Sequence, residues 1–290
     1  MNLLTVFAKF PDQESCVEHL ENMRWGDEPI CPHCGSRHVA GKQENNRVGR
    51  WNCHSCKSSF NVLSGSIFEK TKIPLQKWFL AIALMVNAKK SLSSCQLARD
   101  LEMKQKAAWF MQQRIRAAML TNEGRLLQGI IEADETYVGG KPCKNNNSNN
   151  TRNKRGRGTQ KTPVIGAVER GDAVVAKVMQ RLNSKGILAF LKDHVDPEGS
   201  LLITDEYRAY NAAKAVYASA TINHTVRYVD GDTHTNTIEG FWSLLKRAWY
   251  GSHHHYSPKW MPFYIAEGNW KYNQRKNQNA FGAFLRECFQ

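Results

Sequence analysis

Two cysteine pairs constrain this chain more than any other feature. Cys31-Pro-His-Cys34 and Cys53-His-Ser-Cys56 are both C-x-x-C, and 18 residues separate Cys34 from Cys53. Paired knuckles at that spacing can wrap one tetrahedral zinc, whose charge keeps four thiolates deprotonated. Such a unit folds on its metal rather than on a core of its own, so residues 1–70 are expected to form an N-terminal helix and a zinc ribbon. A redox dithiol would need one pair beside a βαβ pattern, and neither pair has that setting. His33, His38 and His54 are substitute ligands that four available thiols make unnecessary. Cys16, Cys95, Cys143 and Cys288 have no partner pattern.

A ribbon can bind DNA, RNA or protein, so its partner has to be read elsewhere. The chain carries 40 Lys and Arg against 26 Asp and Glu, a net charge of +14, which points to an anionic partner and first of all to nucleic acid. With 41% apolar residues it is a folding chain, not a disordered one. Its longest strongly apolar run, Trp78 to Val86, is too short to cross a bilayer, and the N-terminus has no basic leader. No membrane role and a reducing, cytoplasmic (nucleoid-associated) setting are therefore expected.

Residues 71–122 read as helices. After Ile73-Pro74 comes a largely buried run, LQKWFLAIALMVNAKK, and then two short helices broken near Met103 and Lys104. The second should turn Trp109, Phe110, Ile115 and Met119 inward and Lys106, Gln112, Arg114 and Arg116 outward. A helix-turn-helix with Arg114 on DNA and an ordinary helical hairpin both fit this pattern.

From 123 to 290 the texture is α/β: three strands, then SKGILAFLKDHV as a helix, LLITD as a buried strand, EYRAYNAAKAVY as a helix and TVRYV as a strand. Between the first two strands, residues 141–161 hold seven Lys or Arg, six Asn and no acid. This segment cannot form a core; Lys154, Arg155 and Arg157 make it a candidate basic arm for phosphates.

Three acids stand out by position. Asp134 lies in the first strand, Asp205 ends LLITD, and Glu239 lies in the amphipathic stretch TNTIEGFWSLLKRAWY, where Ile238, Phe241, Trp242, Leu245 and Trp249 share one side. Lys246 follows Glu239 by seven residues and returns to within ~20° of its bearing, so an acid and a base share a helix face. Two strand-end carboxylates and a helix carboxylate can hold two Mg²⁺ ions roughly 4 Å apart for phosphoryl transfer, since Mg²⁺ prefers hard oxygen ligands. Lys246, with Arg247 beside it, can hold a phosphate in register. Glu132 shares the parity of Asp134 and is either a bystander or an accessory ligand. In the C-terminal helix, Lys271 is placed to reach a nucleic-acid backbone.

The strings CPHCGS and CHSCKSSF, then IEADETYVGGK, ITDEYRAY and HTNTIEGFWSLLKR, occur in order over nearly the whole chain. In these the sequence resembles the ISXO-like insertion-sequence transposases, which join a zinc ribbon to a DDE catalytic domain of RNase H-like fold. The resemblance implies a mixed sheet with flanking helices and a triad of Asp134, Asp205 and Glu239. It also implies two Mg²⁺ (or Mn²⁺) ions at that triad and one structural Zn²⁺ on Cys31, Cys34, Cys53 and Cys56. Asn236 is a further candidate for the third ligand position. The implied activity is DNA cleavage at inverted-repeat ends followed by strand transfer, in a homodimer or higher oligomer assembled on DNA. Two alternatives are a non-catalytic zinc-ribbon DNA-binding regulator and a nuclease of the same fold that cuts without joining.

Overall fold

The computed structural model describes residues 1–42, 49–120, 125–140, 161–222 and 234–289. The chain divides into two compact units, Met1–Asn122 with Lys276–Gln290, and Glu123–Arg275. Among the described residues no helix is long and apolar enough to cross a membrane.

The first unit begins with two capped helices. Asn2 accepts from Thr5 N–H at 2.8 Å to start α1 (Leu3–Lys9), and Asp12 and Ser15 form a capping box that starts α2 (Gln13–Trp25). Gly26, at φ 59°, ends α2 in a backbone region that favours glycine. A three-stranded antiparallel ribbon follows: β1 (Val39–Gly41), β2 (Arg50–Cys53) and β3 (Ser59–Asn61). Its small core is Cys31, Cys53 and Phe60 with Trp25, Val39 and Trp51 packed around them. Arg24 on α2 donates to the carbonyls of Val62 and Ser64 at 2.6 and 2.7 Å, which ties ribbon to helix.

Helix α3 (Leu75–Asn87) buries eight of its thirteen side chains, as a helix with apolar residues all round must. Ser93 caps α4 (Ser94–Asp100), and after a tight turn α5 (Gln105–Leu120) packs on α4. The facing of α5 departs from expectation. Gln112 and Arg116 are buried while Phe110 is 51% exposed. The buried stripe runs through 108, 111, 112, 115, 116 and 119, the i, i+3, i+4 progression of one helix face, and it takes polar side chains inside. Gln112 is accommodated by donating to the Leu92 carbonyl at 2.9 Å.

The second unit is a five-stranded mixed sheet. Its strands are β4 (Leu127–Val138), β5 (Thr162–Glu169), β6 (Val174–Val178), β7 (Val195–Asp205) and β8 (Ala218–Ile222), in the order β6-β5-β4-β7-β8. The β4–β5 and β5–β6 pairs are antiparallel, and β4–β7 and β7–β8 are parallel. Three meandering strands extended by two parallel ones form an RNase H-like sheet.

Helix α6 (Ser184–His194) covers one face with Ile131, Ala133, Ile165, Ala167 and Leu202. Helices α7 (Asn236–Ala248) and α8 (Met261–Asn273) cover the other with Val138, Val164, Val168 and Ala176. The helix expected over EYRAYNAAKAVY is a single eight-residue 3₁₀ segment, Arg208–Ala215. Asp205 Oδ1 accepts from the Tyr207 amide at 2.9 Å, turning the chain sharply at its start. The strand expected at TVRYV lies outside the described residues; the fifth strand is β8, just before it.

After α8 the chain re-enters the first unit. Helix α9 (Ala280–Glu287) packs against α2, α3 and α5, and the Ile67 amide donates to the Cys288 carbonyl at 3.2 Å. Phe281 meets Phe79 edge-on and Phe10 at a tilt. By packing, residues 276–290 group with the first 122, whereas the sequence reading ran the last block unbroken from 123 to 290. Their apolar face is complementary to α3, not to the sheet.

Candidate active site and zinc centre

The four ribbon cysteines converge. Their sulfurs all lie within 4.8 Å of one another, with Cys31–Cys56 at 3.7 Å and Cys34–Cys53 at 3.6 Å. Disulfide sulfurs would be about 2.05 Å apart. Four thiolates at about 2.3 Å from a tetrahedral zinc stand roughly 3.8 Å from each other, so these spacings fit the metal. The four thiols are not alike: the backbone N–H groups of Cys56 and Ser55 hold the Cys53 thiol down to about 6, whereas Cys34, despite the Ser36 amide, is pushed up to about 12 by burial and its three sulfur neighbours. The ribbon is a structural zinc site.

In the second unit, β4 alternates its side chains between two environments. Ile131 and Ala133 enter the α6 core, while Glu132, Asp134, Thr136 and Val138 point to the α7 face. Glu135 turns the other way and accepts from Tyr210 Oη at 3.2 Å. On β7, Ile203 pairs with Glu132 as the last pair of that ladder, and Asp205 lies two residues further on, near enough for its charge to act on Asp134.

Helix α7 brings the third acid. Its apolar stripe, Ile238, Phe241, Trp242, Leu245 and Ala248, is buried against the sheet, which leaves Glu239, Lys246 and Arg247 exposed. Trp242 reaches under Asp134 and donates its indole N–H to Oδ2 at 3.0 Å. Glu239 Oε1 accepts from Thr235 Oγ1 at 3.3 Å. A cleft of about 520 Å³ opens here, lined by Asp134, Glu135, Glu239, Trp242, Lys246 and Tyr250, among others. Burial pushes the Asp134 carboxyl up to about 6, and the charges of Asp205 and Glu239 add to the rise; the Glu135 amide and the Trp242 indole pull the other way.

Asp134 therefore feels the charges of Asp205 and Glu239, but the three carboxylates do not close on one point. Asp205 is not among the residues lining the cleft, and among the described residues only the four cysteines are close enough to share one ion. Asn236 is exposed on the first turn of α7. Lys154, Arg155 and Arg157 lie outside the described residues. Arg114 is not the outward cation expected: half-buried, it donates to the Glu69 carbonyl at 3.0 Å and lies 5.9 Å over the Trp78 ring, packing its own unit together. Lys271 is likewise withdrawn, in a buried pair with Glu267 one helical turn earlier at 2.5 Å.

Glu132 is the residue whose role the sequence did not disclose. It is fully buried, and both its oxygens are occupied by donors from α7 and from Arg170, which follows β5. It is thus neither a bystander nor an open metal ligand.

The profile of the ISXO2-like transposase domain matches residues 126–273, more than half of the chain. The chain belongs to the ISXO2-like transposase family. A transposase zinc-ribbon domain matches residues 11–59, the part of this insertion-sequence DNA transposase that carries the four converging cysteines. The transposase is 28% identical over 254 residues to the uncharacterized protein in transposable element ISH50 of Halobacterium salinarum, covering 84% of this chain and 85% of that one. Among solved structures it resembles the Mos1 strand transfer complex, at 10% identity and TM-score 0.28 over 71% of this chain and 77% of that one. It also resembles the mariner Mos1 paired end complex with Mg, at 11% identity and TM-score 0.28 over 76% and 80%. Overlays this distant give no residue-by-residue correspondence.

Proposed function

We propose that this transposase cuts and joins DNA with Asp134, Asp205 and Glu239 as the carboxylates that hold a pair of Mg²⁺ or Mn²⁺ ions, and with Lys246 and Arg247 gripping the substrate's phosphates. The observation that carries this reading is the state of Asp134. Its carboxyl is raised to about 6 by burial and by two neighbouring negative charges, in a cleft whose helical wall also bears exposed Lys246. Burial is the larger cause of that rise; the smaller one, repulsion from Asp205 and Glu239, is what a divalent cation would relieve, and the donors are all hard oxygens. When bound, the ions supply Lewis-acid stabilisation of charge on the transferred phosphoryl group.

The protein's own groups do the rest. Trp242 fixes the rotamer of Asp134 through its indole N–H. Lys246 and Arg247, on the exposed face of α7, set the register of the phosphodiester against the acids. Hydrolysis at the element's end leaves a 3′-hydroxyl. That oxygen then bonds to a phosphorus of target DNA as the bond from the same phosphorus to its own 3′-oxygen breaks. Phosphodiester bonds are conserved in the joining step, so no ATP is required.

In this reading the ribbon and the α4–α5 pair recognise the terminal repeats, and Lys154, Arg155 and Arg157 follow the DNA backbone. Holding two ends together requires at least a dimer on DNA. A strand-transfer assay on DNA bearing element ends, in Mg²⁺ or Mn²⁺, tests the proposal. Folded Asp205→Asn protein should bind DNA and neither cut nor join it; retained joining overturns the triad. Cleavage without joined product by the wild type would leave a nuclease, and DNA binding without cleavage would leave a regulator.

A further inference from the structure

We propose that Glu132 is a positioning residue that, together with Arg170, fixes the first turn of α7 and so sets Glu239 against Asp134. The inference rests on the active-site reading above and adds to it a residue that touches neither DNA nor ion.

The chain leading into α7 caps it only weakly: Thr235 makes no side-chain capping bond, and the Asn236 amide donates to His234 Nδ1 at 3.4 Å. The closer capping bonds come from the sheet. Glu132 Oε2 accepts from the backbone N–H groups of Thr237 and Ile238 at 2.8 and 3.0 Å, and Oε1 accepts from Thr237 Oγ1 at 2.8 Å. A carboxylate at this end of a helix meets unpaired amides and the positive end of the dipole. Arg170 completes the clamp. Its Nε donates to Glu132 Oε1 at 2.6 Å, and its Nη2 donates to the carbonyl and to Nδ1 of His234 at 2.8 and 3.0 Å. His234 Nδ1 also lies 3.3 Å from Glu132 Oε1, which brings all three side chains together at the start of the helix.

The position of this clamp gives it consequence. Glu132 precedes Asp134 by two residues on one face of β4, and Ile238 immediately precedes Glu239. Asp134 therefore lies two residues along the strand from this buried carboxylate, and Glu239 lies one residue beyond an amide that the same carboxylate accepts from. A carboxyl group at 0% exposure is unfavourable unless its oxygens are paired, as both are here. A cap from within α7 would start the helix equally well; only a cap from β4 also fixes where that helix starts relative to Asp134.

The test is Mn²⁺ affinity of the full-length protein, read by electron paramagnetic resonance, with amide exchange at Thr237 and Ile238. Folded Glu132→Gln should bind Mn²⁺ roughly tenfold more weakly, in the range for groups that orient metal ligands. The loss should vanish in a Glu239→Gln background, because both changes act through one ligand. Exchange at Thr237 and Ile238 should rise, with zinc content unchanged. Unaltered Mn²⁺ affinity, or a loss that adds fully to that of Glu239→Gln, overturns the proposal. If Glu132→Gln does not fold, Arg170→Lys takes its place: it keeps the charge, loses the fork and should lose affinity in the same direction, and wild-type affinity in that variant is equally fatal. Should the wild type itself bind no Mn²⁺, the active-site reading fails instead, and faster exchange at Thr237 and Ile238 in Glu132→Gln still reports on the clamp.

Discussion

The indole N–H of Trp242 donates to Asp134 Oδ2 at 3.0 Å, and the ring lies where a side chain at position 166 would otherwise be. Gly166 pairs directly with Asp134 across β4 and β5. A Cβ there would stand 2.6 and 2.9 Å from the Trp242 ring and 3.2 Å from Ile238 Cδ1. Gly166→Ala should therefore cost about 1–3 kcal/mol by overpacking. It should also cut strand cleavage by pushing the indole off Asp134. Chemical denaturation and a cleavage assay on the same variant measure both.

Asp134→Asn should remove cleavage while stabilising the metal-free protein. The folded carboxyl is raised to about 6, above the about 3.9 of an unfolded aspartate. Between those values the folded state holds more protons than the unfolded one, so wild-type stability falls as pH rises through that window. The substitution relieves a penalty of about 1–3 kcal/mol that is complete above pH ~6 and absent below pH ~4. Thermal unfolding in chelator at pH 4 and pH 7.5 should show a gain only at the higher value.

Lys246→Ala should weaken DNA binding more than it slows the chemical step. Losing one phosphate contact reduces the slope of log affinity against log salt by roughly 1 and leaves sequence preference unchanged. Salt titrations of binding for wild type and variant settle the direction. An unchanged slope would remove Lys246 from the DNA path.

Cys53→Ser should release the ribbon's metal. Wild-type protein is expected to carry about one zinc per chain and the variant close to none, by elemental analysis of gel-filtered samples. Because a ribbon of this size folds on its metal, the variant should also lose the ordered packing of Trp25 and Trp51 around Phe60.

Phe281→Ala should destabilise the first unit by about 3–5 kcal/mol, the range for emptying a buried aromatic site. Phe281 is 1% exposed and meets Phe10 and Phe79. Loss of protection in α1–α3 by hydrogen exchange, with the sheet of the second unit unaffected, is the expected pattern.

What could be read from the residues follows the range of the interactions concerned. The α7 stripe from Ile238 to Leu245 and the strand alternation that aims Asp134 are periodic over a few residues, and both lie in the fold as expected. The four cysteines declare themselves by spacing. Glu132 could not be read, because its donors lie 38, 105 and 106 positions away and nothing local distinguishes it from its acidic neighbours. Gln112 and Arg116 misled because polarity suggests an outward face, whereas tertiary packing placed both inside. Helix α9 is amphipathic by pattern, yet pattern does not say which core receives it.

That last helix makes the topology discontinuous: the sheet-bearing unit is inserted between two segments of the other. A ribosome must therefore finish the RNase H-like unit before α9 exists to close over α3. Until then Phe79 and its neighbours lack part of their cover, whatever the state of the ribbon. Nascent chains that stall or terminate early thus carry an incomplete first unit, and the order of synthesis itself ensures that this unit matures only in molecules that already possess Asp134, Asp205 and Glu239.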